Sequence, residues 1–111
     1  MAESPKLSKT TRARIADTEA VYVSAASAWE MAIKAAIGKL RVPDDLEAQL
    51  QRHRFEQLPI SIAHALAVTV LPRHHADPFD RMLVAQASIE SLTLVTTDPQ
   101  LGVYGVPILR A

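Results

Sequence analysis

Apolar positions in this chain fall into short clusters whose period switches between extended and helical. Ala20-Val21-Tyr22-Val23-Ser24 is a compact β-rich run and reads as a strand. The helix that follows opens at Ser24 or Ser27 and runs to about Ile37, with Gly38 in the C′ position that ends it. Pro43-Asp44-Asp45 introduces another helix, Leu46 to about Arg54, with Leu46 and Leu50 at i,i+4 spacing. Phe55 to Ile60 is a second extended run. Ser61 caps a helix from Ile62 to Leu71, which Pro72 stops. A loop, 73–76, leads to a helix from about Pro78 to Glu90. Leu92-Thr93-Leu94-Val95-Thr96 is the clearest strand. Asp98-Pro99 starts a short turn or helix, and Val106-Pro107-Ile108-Leu109 reads as an edge strand because of its proline. At the other end, residues 1–6 read as loose, and Ser8 caps a short helix to about Ala16.

Short strands alternating with helices imply crossover connections and a parallel sheet. The expected class is α/β, three-layered (α/β/α), as a single domain over 1–111. Composition narrows the possible functions. The chain has 111 residues, 49% hydrophobic and 22% charged, with zero net charge. A neutral chain is not held on nucleic acid by bulk charge, although a local basic rim is compatible with a nuclease. The absence of cysteine removes disulfides and thiolate zinc sites. No apolar run approaches the ~20 residues of a membrane span. Met1-Ala2-Glu3-Ser4-Pro5-Lys6 lacks the apolar core of a signal peptide. These features lead us to expect a cytoplasmic location and no membrane association.

The candidate chemistry centres on His74-His75-Ala76-Asp77-Pro78-Phe79-Asp80-Arg81, two acids at the entrance of an apolar helix. In open parallel sheets, ligands bind beyond the carboxyl ends of the strands. Glu30, Asp80 and Asp98 all fall near that edge. Carboxylates gathered there repel one another, and a hard divalent cation, Mg²⁺ or Mn²⁺, resolves the cost. Such an ion can activate water against a phosphodiester.

Each acid also has a structural reading. Asp77-Pro78-x-Asp80 fits an N-cap, a proline at N1 and an acid favourable to the helix dipole. Ser27-x-x-Glu30 fits a capping box, and Glu30 precedes Lys34 by four residues. Asp98-Pro99 fits a cap followed by proline. His74 and His75 are metal or phosphate contacts on one reading and solvated loop residues on the favoured one. Lys34, Lys39, Arg73 and Arg81 form an RNA rim or ordinary surface charge. Trp29 fits the core better than a stacking platform.

The motifs Val21-Tyr22-Val23-Ser24-Ala25-Ala26-Ser27-Ala28-Trp29-Glu30, Ile33-Lys34, Gly38-Lys39-Leu40, Leu58-Pro59-Ile60, Ala63-His64-Ala65, DPFDRMLVAQA and Leu92-Thr93-Leu94-Val95-Thr96-Thr97-Asp98 follow one another in this order. The set resembles PIN-domain proteins, most closely the VapC-type toxins of toxin–antitoxin pairs, from Leu7 to Leu109. The resemblance implies a Mg²⁺- or Mn²⁺-dependent endoribonuclease with RNA as substrate, a cognate antitoxin as partner and a homodimeric state. It assigns three of the family's four metal-site acids to Glu30, Asp80 and Asp98. It also places Thr96 close to that site and leaves Asp77 as a cap or outer-shell contact.

One feature departs from the family. Its first, central strand, which ends in the first metal-binding Asp, has no counterpart before Leu7, and Asp17 does not substitute for it. The expectation is a truncated PIN-like domain that starts downstream of that strand, binds metal weakly and has low activity. The alternative is a non-catalytic PIN-like module that binds an antitoxin or another protein.

Overall fold

The computed structural model describes residues 20–42 and 44–110. The expected short helix from Ser8, the loose 1–6 segment and Asp17 lie outside them. The described elements are β1 (Val21–Ser24), α1 (Ala25–Ala36), α2 (Leu46–Arg52), β2 (Phe55–Leu58), α3 (Ile62–Val70), α4 (Pro78–Glu90), β3 (Leu94–Thr96), a 3₁₀ helix (Pro99–Tyr104) and β4 (Ile108–Arg110).

Local chemistry explains most of the boundaries. Ser24, not Ser27, caps α1, accepting from the Ala26 N–H, so the Ser27–Glu30 capping box does not form. Gly38 follows the end of α1 at φ +77°, a conformation that glycine adopts without penalty. Ser61 caps α3 in a reciprocal box with His64. The Ser61 side chain accepts from the His64 N–H, and His64 Nδ1 accepts from the Ser61 N–H. α4 begins at Pro78 and ends at Ser91, whose left-handed conformation lets Leu92 N–H return to the Ala87 carbonyl. That return makes β3 shorter than the apolar run suggests. β4 likewise starts at Ile108. Pro107 has no N–H to donate and joins only through its carbonyl, which accepts from Leu94 at 2.9 Å.

The class is mixed α/β with short parallel sheets. The single sheet expected from the sequence is, among the described residues, two separate parallel pairs. β1 pairs with β2 in the register Val21↔Phe55 to Ser24↔Leu58, and β3 pairs with β4 from Leu94↔Ile108 to Thr96↔Arg110. No described ladder joins them, and α4 connects them instead. A small cavity at the junction is lined by Ser24 and Leu58 from one pair, Leu94 from the other, and Leu83, Gln86 and Ala87 of α4.

α4 is the central support. Val84, Ala85, Gln86 and Ala87 are buried in succession, so this helix is covered around most of its circumference. Val84 and Ala87 enter a cluster with Leu94, Leu101 and Val106. α3 packs along α4, and α1 docks against it. Gln86 is the polar member of this interior. Its Oε1 accepts from Ser24 Oγ at 2.5 Å, and its Nε2 donates to the Pro59 carbonyl at 3.3 Å. Buried His64 reaches Glu90 at 2.8 Å. No buried side-chain polar atom among the described residues lacks a partner.

Candidate metal centre

The entrance of α4 separates its two acids by task. Asp77 is the N-cap, and its Oδ1 accepts from the Phe79 N–H at 2.8 Å and the Asp80 N–H at 3.1 Å. Its capping role satisfies donors that a helix start otherwise leaves open. Asp80, in the first turn of the helix, caps nothing. Its Oδ2 accepts from His75 Nε2 at 2.9 Å.

Asp98 arrives from the end of β3. Its N–H donates to Thr96 Oγ1 at 3.1 Å, which fixes the turn leaving the strand. Its Oδ1 accepts from the Gln100 N–H at 3.0 Å and caps the 3₁₀ helix. The other oxygen, Oδ2, lies 3.9 Å from His75 Nδ1. His75, Asp80 and Asp98 therefore present one ligand atom each, all within 4.8 Å of one another, and all three side chains are half-buried.

The charges at this point are only partly balanced. Burial pushes the Asp80 carboxyl above its ordinary value, and the Asp77 and Asp98 charges push the same way, while the His75 hydrogen bond and charge oppose them. Two carboxylates converging in a partly desolvated place fit a hard divalent cation, and Mn²⁺ also accepts an imidazole more readily than Mg²⁺ does.

The other sequence candidates lie in different settings. Glu30 is outside the cluster and pairs with Lys34 at 3.7 Å across one turn of α1, a contact worth a few tenths of a kcal/mol. Its neighbour Trp29 brings α1 beside the entrance of α4, packing its ring edge-on to Phe79 with centroids 5.2 Å apart. Trp29 itself is 60% exposed, contrary to the core position expected for it. Arg73 is exposed, with no ion pair or hydrogen bond among the described residues. Arg81 uses its guanidinium on the chain itself, donating to the carbonyls of Val68 at 2.9 Å and Pro72 at 3.0 Å, with longer contacts to Leu71 and Tyr104. It closes the C-terminal end of α3.

His75 is the residue that sequence reasoning passed over as a solvated loop side chain. It lies in an aperiodic loop, so no hydrophobic pattern fixes its direction. The only available signal was its position two residues before the cap of an acid-bearing helix. No helix among the described residues is long and apolar enough to cross a membrane.

No curated protein sequence matches the chain. The sequence profile of the PIN domain, a family typically of metal-dependent nucleases, matches residues 1–106. With acids from a helix entrance and a strand end meeting at one point, and that match spanning nearly the whole sequence, the chain belongs to the PIN domain family.

Proposed function

We propose that this chain is a divalent-cation-dependent endoribonuclease of the toxin type, with Asp80 and Asp98 as cation ligands. The observation that carries this reading is the convergence of Asp80, Asp98 and His75, in which Asp80 has no capping duty to account for it. A bound Mg²⁺ or Mn²⁺ would polarise the phosphodiester and supply a nucleophilic water. Asp80 and Asp98 hold the cation, and the Asp98 backbone is kept in place by Thr96. His75 lies between the two carboxylates and would be a third ligand to the cation. Glu30, outside the cluster, would add a carboxylate to the cation site only by giving up its weak pair with Lys34. Asp77 stays on the helix cap, close enough to tune Asp80.

The proposal extends to a cytoplasmic toxin that pairs with an antitoxin and forms a homodimer. Exposed apolar residues at i,i+4 spacing support a protein-covered surface: Ile62, Leu66 and Val70 on α3, and Trp29 and Ile33 on α1 with Ile37 at its C-cap. The same stripes favour the second reading, a non-catalytic module that binds a protein partner.

Mn²⁺ titration by calorimetry tests the site without relying on turnover. Asp80→Ala and Asp98→Ala should each weaken binding by at least about tenfold, and Asp77→Ala should have less effect. Unchanged Mn²⁺ affinity in both ligand variants overturns the assignment. Wild-type RNA cleavage, where measurable, should fall by about 10²-fold or more in the same variants.

A further inference from the structure

Beside the metal centre, an open groove of roughly 660 Å³ runs between the C-terminal end of α3 and the loop before α4. Val68, Thr69 and Leu71 line it together with Arg73, His74 and His75. Its volume falls within the ~300–1,000 Å³ typical of small-ligand sites, enough for one nucleotide unit. Among the described residues no acidic side chain lines it, whereas two arginines and two histidines do. In a chain of zero net charge that is a local excess of positive and neutral donor groups.

Two further observations identify what the groove fits. His74 is exposed and braced edge-on against Tyr104, with ring centroids 5.3 Å apart, so an aromatic ring is held at the surface instead of moving freely. His75 belongs to both places. It lines the groove and touches Asp80 in the cluster. A ligand in the groove therefore lies directly beside the cluster of His75, Asp80 and Asp98.

We propose that this groove is the subsite for a nucleotide of single-stranded RNA next to the cleaved bond, an inference that rests on the nuclease reading above. Arg73 pairs with the backbone phosphate, and the base stacks on the His74 ring. Unstacked bases reach such a platform, whereas those of a duplex are covered by their neighbours. Arg81 adds charge but few free donors, because its N–H groups are committed to the α3 carbonyls. Arg73 and His74 are exposed, so changing them leaves the core untouched.

The test is fluorescence anisotropy with a labelled RNA strand of about six nucleotides in EDTA, alongside the same sequence as a duplex. The single strand should bind more tightly than the duplex. Arg73→Glu should weaken it by about tenfold or more, and His74→Ala by about fivefold, with His74→Phe restoring the loss. Asp80→Asn should leave this cation-free binding intact or tighten it, so failure of the metal site and failure of the groove give different results. Equal binding of duplex and single strand overturns the proposal, as does affinity indifferent to Arg73→Glu and His74→Ala. Occupation of this groove by a protein partner that RNA does not displace overturns it as well.

Discussion

Two polar regions of α4 have opposite character. In its middle, Gln86 is 1% exposed and fully engaged, joining Ser24 at the end of β1 to the carbonyl of Pro59 after β2. At its entrance, Asp80 is half-buried among other carboxylates and held by one histidine. Burial is greater in the middle, yet electrostatic conflict is greater at the entrance. Burial alone therefore does not separate structural from functional polar groups. What separates them is whether the chain supplies every partner. Gln86 closes a network and ties both strands of the β1–β2 pair to one helix. Asp80 leaves a repulsion that the described residues do not cancel and a cation can.

Gln86→Ala should give the largest stability effect. It leaves the buried Ser24 hydroxyl without its acceptor, at ~1–3 kcal/mol, removes a longer bond to the carbonyl of exposed Pro59 and opens a cavity beside Ser24, so a loss of about 3 kcal/mol follows. In thermal melts that is a fall of about 12 °C or more. Mn²⁺ affinity in the folded fraction should stay near wild type. A Gln86→Ala protein that melts normally but loses Mn²⁺ would reverse the roles of the two regions.

Arg81 sharpens the contrast, because it follows Asp80 in sequence yet serves the fold. Arg81→Ala removes charge-assisted bonds to carbonyls at the end of α3, and a cost of about 1–2 kcal/mol follows, measurable by urea denaturation. Arg81→Lys should recover only part of it, since an ammonium group cannot span the carbonyls that the guanidinium fork reaches. A variant indistinguishable from wild type in urea would place Arg81 back on the RNA rim.

The sequence revealed these regions unequally. Periodicity and caps placed α4 at Pro78–Glu90 and identified Asp77 as its N-cap, because an aspartate that accepts from the first free N–H groups and a proline that lacks one suit the start of a helix together. Asp80 and Asp98 could be brought to one edge from the alternation of strands and helices alone. His75 could not, since an aperiodic loop carries no directional signal. Gln86 was equally hidden. A single polar residue in an apolar helix says nothing of which distant hydroxyl and carbonyl it will meet. The division into two strand pairs was not legible either, because each short run looks like a strand whichever neighbour it takes.

The smallest effect is the most direct probe of the uncancelled repulsion. The Asp80 carboxyl is raised above 3.8 by burial first, then by Asp77, with Asp98 adding and His75 opposing. The folded state therefore holds this proton more tightly than the unfolded chain. The stability tied to that proton is fully present below about pH 3.8, the unfolded value, and is lost as pH rises through the raised folded value. At neutral pH, Asp80 is a net burden on the cation-free protein. Asp80→Asn removes the charge and keeps an oxygen for His75, so it should stabilise the cation-free protein by less than about 1 kcal/mol, a few degrees in a melt. The advantage should shrink as pH falls through the raised value, because wild type then gains the proton that the amide mimics. In saturating Mn²⁺ the order should reverse, since only wild type gains binding energy from the cation. An Asp80→Asn protein less stable than wild type in EDTA at neutral pH would mean that His75 more than offsets the repulsion, making the entrance of α4 as self-sufficient as its middle.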